Sequence, residues 1–174
     1  MADSQNGRPG DRPGDPEGKR VEIAALRLLA RREHSIEELR RKLVSKGYDP
    51  GRVAAVMEKL TAKRLASDDR FAAGLVQHRA RRGQGPVRIR ADLRQQGVAE
   101  SLIDQEFGKA EVDWNRLAAQ VRRRKFGAAE PRTWSERAKQ ARFLQYRGFS
   151  ADQIRAALGG SDELPAAGEE PSQE

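Results

Sequence analysis

Apolar residues along this chain recur at intervals of three and four, the spacing of one face of an α-helix. Within the helical segments, a leucine is followed four residues later by glycine and then by a large apolar residue, and this pattern occurs three times. The copies are Leu43-x-x-x-Gly47-Tyr48, Leu93-x-x-x-Gly97-Val98 and Leu144-x-x-x-Gly148-Phe149. Because the glycines lie 50 and 51 residues apart, the sequence predicts a helical unit of about 50 residues used three times in tandem.

Each of these glycines occupies the position of a residue that ends a helix. Glycine adopts positive φ at little cost, and in a Schellman cap the residue after it contacts the leucine in the last helical turn. Six and ten residues after each glycine come apolar residues that share one face of a following helix. They are Val53 and Met57, Ile103 and Phe107, and Ile154 and Leu158. The pattern predicts two helices joined by a glycine turn in every unit.

An earlier helix completes each unit, and several helices begin at recognisable capping residues. The caps are Ser35 with Glu38, Asp49 with Pro50, Thr133 with Glu136, and Ser150 with Gln153. The first helix is predicted over 21–32 with Ile23, Leu26, Leu29 and Ala30 inward, and Trp114 and Trp134 are predicted to be core residues. No strand pattern of useful length is present. The predicted fold is therefore all-α, with three tandem three-helix repeats in an elongated arrangement.

Composition sets the limits of the repeats. Residues 1–20 and 159–174 are rich in glycine, proline and polar residues, so both tails are predicted to be disordered. The three-helix repeats are predicted at 21–66, 67–111 and 112–158. Each has few aromatic residues and is marginal alone, so its stability depends on its neighbours.

The chemistry of a catalytic site is missing from the sequence. The chain has no cysteine, and its two histidines, His34 and His78, lie far apart, so neither a disulfide nor a metal site is predicted. Ser35 and Ser150 have better roles as helix caps than as nucleophiles. No apolar run is long enough for a membrane span or a signal peptide. We therefore expect a cytoplasmic, monomeric non-enzyme with no cofactor.

Charge indicates a partner that is either a polyanion or an acidic protein surface. Residues 21–158 carry 30 basic and 17 acidic side chains, whereas the C-terminal tail is acidic. Arginine predominates in the densest basic stretches, and it favours bidentate contacts with anions. The candidate partner- or DNA-binding residues are Arg79, Arg81, Arg82, Arg88, Arg90, Arg94, Arg122, Arg123, Arg124, Lys125, Arg137, Lys139, Arg142 and Arg147. The alternative is an ordinary solvated face, which we expect for Arg40, Arg41, Lys42 and Lys46 because Glu37 and Glu38 offset them.

Two stretches resemble the RecX family of regulatory proteins. One is Ala-Leu-Arg-Leu-Leu-Ala-Arg-Arg-Glu-His-Ser-Ile-Glu-Glu-Leu at 25–39, followed by Leu43 and Gly47. The other is Asp-Asp-Arg-Phe-Ala at 68–72, which runs into an arginine-rich stretch and then Gly85, Ile89, Leu93 and Gly97. The resemblance covers 21–158, although Glu130-Pro131 interrupts the approach to the last glycine unit.

The resemblance implies a non-enzymatic modulator of the RecA recombinase, active in DNA repair, recombination and the SOS response. Proteins of this family bind RecA and its filament on single-stranded DNA, and usually inhibit strand exchange, ATP hydrolysis and coprotease activity. No compact family motif assigns roles to single residues, so the candidate residues rest on charge alone. Two alternatives remain open: an autonomous binder of single- or double-stranded nucleic acid, and a helical-repeat adaptor between proteins.

Overall fold

The computed structural model describes residues 15–159. This range forms nine α-helices and contains no strand, which confirms the predicted all-α fold. In chain order they are α1 (Pro16–Leu29), α2 (Ile36–Ser45), α3 (Pro50–Ala62), α4 (Asp68–Arg81), α5 (Pro86–Gln95), α6 (Glu100–Lys109), α7 (Trp114–Phe126), α8 (Trp134–Tyr146) and α9 (Ala151–Ala157). The disorder predicted for 1–14 and 160–174 concerns residues outside the described range.

The first helix begins five residues earlier than predicted, so the prediction of a disordered tail is wrong for 15–20. Pro16 occupies the first helical turn, where its missing N–H costs nothing. Asp15 caps the helix by accepting a hydrogen bond of 3.1 Å from the amide of Glu17. Arg52 forms ion pairs with both Asp15 and Glu17, and its Nη1 atom lies 2.7 Å from a carboxylate oxygen of each. The glycine- and proline-rich composition concealed this cap.

All three repeat glycines end helices in the predicted way. Gly47, Gly97 and Gly148 have φ of 90°, 79° and 88°. The amide after each glycine donates to the carbonyl of the pattern leucine, over 3.4 Å from Tyr48 to Leu43, 3.1 Å from Val98 to Leu93 and 3.2 Å from Phe149 to Leu144. The amide of each glycine also donates to a carbonyl three residues earlier, over 2.9 Å. These are complete Schellman caps, so the repeat seen in the sequence is a repeat of structure.

The chain folds as two compact units. Within the described residues, unit 1 comprises 15–74 and 93–106, and unit 2 comprises 75–92 and 107–159. The division passes through α4, α5 and α6. The helices of the second predicted repeat therefore contribute to both units.

The core of unit 1 lies where α1, α2 and α3 pack on one another. Val21 and Ala25, four residues apart on α1, are fully buried there. Ile23 is 49% exposed, Leu26 is 38% exposed and Ala30 is also exposed, so the prediction that they face inward is wrong. Leu29, the fourth residue predicted to face inward, is partly buried against the core. The remaining buried members of the core are Leu39, Leu43, Val53, Val56, Met57, Leu60 and Ala66.

The core of unit 2 lies among α7, α8 and α9. Its buried residues are Ala118, Val121, Ala141, Leu144, Phe149, Ile154, Ala157 and Leu158. Trp114 is half-buried and stacks on Phe107, with ring centroids 5.6 Å apart. Trp134 is 44% exposed, which corrects its prediction as a core residue. It lies in the first turn of α8, before the buried face of that helix begins.

Candidate nucleic-acid interface

The excess positive charge belongs almost wholly to one unit. Within the described residues, unit 1 has 15 basic and 13 acidic side chains, whereas unit 2 has 17 basic and 6 acidic. Phosphate binding requires positive charge that is not already neutralised. Unit 2 is therefore where a polyanion is expected to bind.

Acidic side chains engage many of the basic residues in unit 1. The ion pairs join Arg32 and Lys42 to Glu38, Arg40 to Glu37, Arg52 to Asp15, Lys59 to Glu22, Arg70 to Glu33 and Arg94 to Glu100. Arg94 makes a bidentate contact with Glu100: Nε donates to Oε2 over 2.7 Å, and Nη2 donates to Oε1 over 2.6 Å. The pairs of Arg40 and Lys42 are those expected of an ordinary surface. Arg94, by contrast, is a predicted binding residue that is already neutralised.

Glu38 is the most strongly perturbed acid of unit 1. Burial alone would raise its pKa, but hydrogen bonds from Arg32 and Lys42 and the nearby imidazole of His34 lower the pKa to about 2. The Nδ1 atom of His34 lies 3.0 Å from Glu38 Oε2. Burial lowers the pKa of His34, against the influence of Glu38. This cluster ties α2 to the segment before it and stabilises the unit.

In unit 2, the turn between α4 and α5 meets the turn between α8 and α9 through the backbone. The amide of Gly85 donates to the carbonyl of Arg147 over 2.8 Å, and the amide of Val87 donates to that of Gly148 over 3.0 Å. A Cβ atom at Gly85 would lie 2.3 Å from the Gly148 oxygen. A side chain at Gly85 would therefore prevent this approach.

Four of the predicted arginines and one tyrosine lie at or beside this junction. Arg88 donates from Nη1 to the carbonyl of Tyr146 over 3.3 Å, and its guanidinium carbon lies 5.5 Å from the Tyr146 ring centroid. Arg147 donates from Nη1 to the carbonyl of Arg82 over 3.3 Å. Arg142 lies one helical turn before Tyr146 on α8 and so shares its face. We call Arg82, Arg88, Arg142, Tyr146 and Arg147 the Arg88–Tyr146 surface.

Other predicted residues of unit 2 are also available at the surface. They are Arg81 at the end of α4, Arg123, Arg124 and Lys125 at the end of α7, and Lys139 on α8. All five are exposed, and none forms an ion pair with another described residue. They can accept phosphate contacts without first breaking an internal pair.

Arg122 must be withdrawn from the predicted binding set. It is only 3% exposed, and its guanidinium donates to Ala129 O over 2.8 Å, to Gln140 Oε1 over 3.2 Å and to Ala128 O over 3.3 Å. The carbonyls that it binds belong to the connection between α7 and α8, the segment in which the sequence departs from the family pattern. Arg122 is therefore a structural residue that holds this connection.

Three further predicted arginines have internal contacts. Arg79 Nη2 lies 3.3 Å from Asp92 Oδ2. The guanidinium of Arg90 lies over Phe107, 4.4 Å from the ring centroid. Arg137 is half-buried and interacts within the described structure. These contacts make the three arginines poorer candidates than the exposed residues.

Tyr146 is the member of this surface that was absent from the charge-based prediction. It is 76% exposed, and the neighbouring junction residue Val87 is 53% exposed. Tyr146 lies outside the repeat pattern, and this was the one available signal that it faces solvent. Its proximity to Arg88, 58 residues away in the chain, has no local sequence signal.

Neither a candidate metal site nor a candidate membrane span is present in the described part of the chain. No group of three or more His, Cys, Asp or Glu side chains within 15–159 could hold a metal ion. Within the same range, no helix is long and apolar enough to cross a bilayer. The candidate site is thus a basic surface with an exposed aromatic ring.

The fold and this surface define a class, the tandem three-helix repeat proteins with a basic face. Family models for the first, second and third three-helix domains of RecX match residues 24–60, 67–105 and 111–158. The chain belongs to the RecX family.

Relatives and solved structures agree with this assignment. The regulatory protein RecX of Halorhodospira halophila is 53% identical over 143 residues, which are 82% of this chain and 89% of that protein. That of Pseudomonas fluorescens strain Pf-5 is 44% identical over 80% of this chain and 90% of its own length. The crystal structure of RecX from Lactobacillus salivarius has a TM-score of 0.69 at 18% identity, over 82% of this chain and 94% of that one. At that identity the likeness shows the fold alone.

Proposed function

We propose that this protein regulates RecA without catalysing a reaction of its own. It would bind, as a cytoplasmic monomer, to the RecA filament on single-stranded DNA and inhibit recombinase, ATPase and coprotease activity. Membership of the RecX family, whose relatives are named regulatory proteins, supports the proposal. The observation that carries it is the concentration of unpaired cations in unit 2, because a filament on DNA presents phosphates to any protein that binds along it.

The proposed mechanism is steric and electrostatic. The exposed arginines and lysines of unit 2 would contact DNA phosphates, whereas unit 1, nearly balanced in charge, would be free to contact protein. A regulator that touches DNA and RecA together would block the addition of RecA subunits or the entry of a duplex. Inhibition would then require the free cations of unit 2, and most cations of unit 1 would matter little.

The test is ATP hydrolysis by RecA on single-stranded DNA while the protein is titrated in. The Arg81/Arg82/Arg142→Ala variant removes three exposed cations of unit 2 that have no ion pair within the described chain. The Lys19/Arg20/Lys63→Ala variant removes three exposed cations of unit 1 that likewise have no ion pair there, so its net charge is the same. We expect the native protein and the unit 1 variant to suppress hydrolysis equally, and the unit 2 variant to be weaker.

Two results would contradict the proposal. Hydrolysis that stays unchanged up to an excess of native protein would remove RecA as the target, and tight salt-sensitive DNA binding would then favour the autonomous nucleic-acid binder. Equal weakening by the two triple variants would mean that net charge alone matters and that unit 2 has no special role.

A further inference from the structure

Tyr146 presents an aromatic ring to solvent at the end of α8. With 76% of its surface exposed, it is the most exposed of the large apolar or aromatic residues in the described chain. A tyrosine ring combines a large apolar face with a polar tip, so an exposed ring beside cations is a candidate for contact with a ligand.

Arg88 holds one face of this ring. Its guanidinium carbon is 5.5 Å from the ring centroid, and its Nη1 also donates to the Tyr146 carbonyl. The close approach depends on Gly148, because a Cβ atom there would lie 2.3 Å from Arg88 Cβ. With the guanidinium on one side, the other face of the ring is left to solvent. The aromatic ring and the cation are thus positioned together before any ligand binds.

Two exposed cations lie on elements next to the ring. Arg142 lies one turn before Tyr146 on the same face of α8, and the backbone carbonyl of Arg82, just after α4, accepts a hydrogen bond from Arg147, the residue that follows Tyr146. Neither Arg82 nor Arg142 forms an ion pair within the described residues. A ligand that fits must therefore combine a flat π surface with negative charges a few ångströms away.

A single-stranded nucleic acid has this combination at every nucleotide. Its unpaired bases can stack on an aromatic side chain while arginines contact the flanking phosphates. A duplex offers the phosphates, but its bases are already stacked and paired. An acidic peptide would use the cations and leave the tyrosine ring without a partner.

We infer that Tyr146 is a stacking platform for one unpaired base, with Arg88 and Arg142 placed for the adjacent phosphates. The surface would thereby distinguish single-stranded from double-stranded nucleic acid. This inference rests on the proposed function in one respect, namely that unit 2 contacts DNA. It concerns DNA binding in the absence of RecA.

The test uses the full chain and two fluorescein-labelled probes, a 20-nucleotide oligo(dT) and a 20-base-pair duplex, in fluorescence anisotropy titrations over a series of salt concentrations. Tyr146→Ala is expected to weaken binding of oligo(dT) about tenfold, within the range measured for base–aromatic stacking, and to change duplex binding little. Tyr146→Phe keeps the ring and is expected to bind as the native protein does. The salt dependence should stay unchanged in both variants, because no charge is lost.

Two matched variants separate stacking from charge and from exposure alone. Arg142→Ala should weaken binding of both probes and reduce the salt dependence for oligo(dT) by about 0.7 in log–log slope, the value for one phosphate contact. Trp134→Ala removes another exposed ring of α8, and it should leave both affinities unchanged. An oligonucleotide carrying 5-iodouracil should photocrosslink to the tryptic peptide 143–147, which contains Tyr146.

The inference is overturned if Tyr146→Ala binds oligo(dT) like the native protein, if it weakens both probes equally, or if the crosslink maps elsewhere. The RecA ATPase assay distinguishes this failure from failure of the proposed function. If native protein inhibits ATP hydrolysis by RecA but Tyr146→Ala binds oligo(dT) normally, only the stacking inference is refuted. If Tyr146→Ala loses affinity for oligo(dT) but not for the duplex, and native protein does not affect ATP hydrolysis by RecA, only the RecA proposal is refuted.

Discussion

Gly85→Ala tests the backbone junction on which the Arg88–Tyr146 surface depends. The added Cβ would lie 2.3 Å from the Gly148 oxygen and 2.5 Å from the Phe149 nitrogen, and both atoms belong to backbone that cannot rotate away. The two turns must separate by roughly 1 Å to reach an ordinary contact distance. That movement would break the two backbone hydrogen bonds of the junction, which measure 2.8 and 3.0 Å.

Each such hydrogen bond contributes roughly 0.5–1.5 kcal/mol, and relief of the overlap adds a further cost of similar size. We therefore expect Gly85→Ala to lower the free energy of unfolding of unit 2 by about 3 kcal/mol. The two tryptophans of the chain, Trp114 and Trp134, both lie in unit 2, so their fluorescence during urea unfolding reports on this unit. The midpoint should fall by roughly 1–3 M urea.

Gly108→Ala is the matched control in the same unit. A Cβ atom at this helical position meets nothing within 4 Å, so the exchange should stabilise by up to about 1 kcal/mol through helix propensity. A Gly85→Ala midpoint equal to that of native protein would refute the reasoning, since the two turns could not then be in contact. If Gly85→Ala lost stability but bound oligo(dT) as the native protein does, binding by the Arg88–Tyr146 surface would not depend on the junction.

Two further predictions concern buried charge. Arg122→Ala should destabilise unit 2 by about 3 kcal/mol because it removes three hydrogen bonds of a buried guanidinium. Arg123 is exposed, so Arg123→Ala should change the free energy of unfolding by no more than about 0.5 kcal/mol. Equal urea midpoints for the two variants, followed by tryptophan fluorescence, would contradict the structural role of Arg122. For Glu38, the pKa of about 2 lies below its ordinary 4.5, so its stabilisation is complete above about pH 4.5 and is lost as the pH falls towards 2. Between pH 6 and pH 3 the loss should be at most about 2 kcal/mol, and Glu38→Gln should flatten this part of a urea-midpoint profile followed by circular dichroism; an unchanged profile would show that other groups govern acid unfolding.

The helices and their ends were largely predictable because their signals are local. Gly47, Gly97 and Gly148 each need positive φ at a helix end, and the residues that satisfy their caps lie within five positions. The capping box of Thr133 with Glu136 is likewise formed by neighbours in sequence. Ser35 caps α2, but its partner Glu38 turns to cations instead of closing the box, because those cations are close in space.

The orientation of α1 and the state of single arginines could not be predicted in this way. Apolar residues lie on several faces of α1, so periodicity alone did not decide between Val21 with Ala25 and Ile23 with Leu26. The four consecutive basic residues at 122–125 have no feature in the sequence that marks Arg122 as the one buried member. These choices depend on packing partners that lie elsewhere in the chain.

The pairing of charges explains why the basic face should lie in unit 2 even though unit 1 has almost as many basic residues. A cation of unit 1 such as Arg94 must give up its carboxylate partner before it can hold a phosphate, and the exchange of one anion for another gains little. Arg142 and Arg124 have no such partner in the described chain, so they can bind a phosphate and release its condensed counterions without giving up a carboxylate. Affinity for a polyanion should therefore follow the number of unpaired cations in a unit, and the total number of basic residues is a poor guide to it.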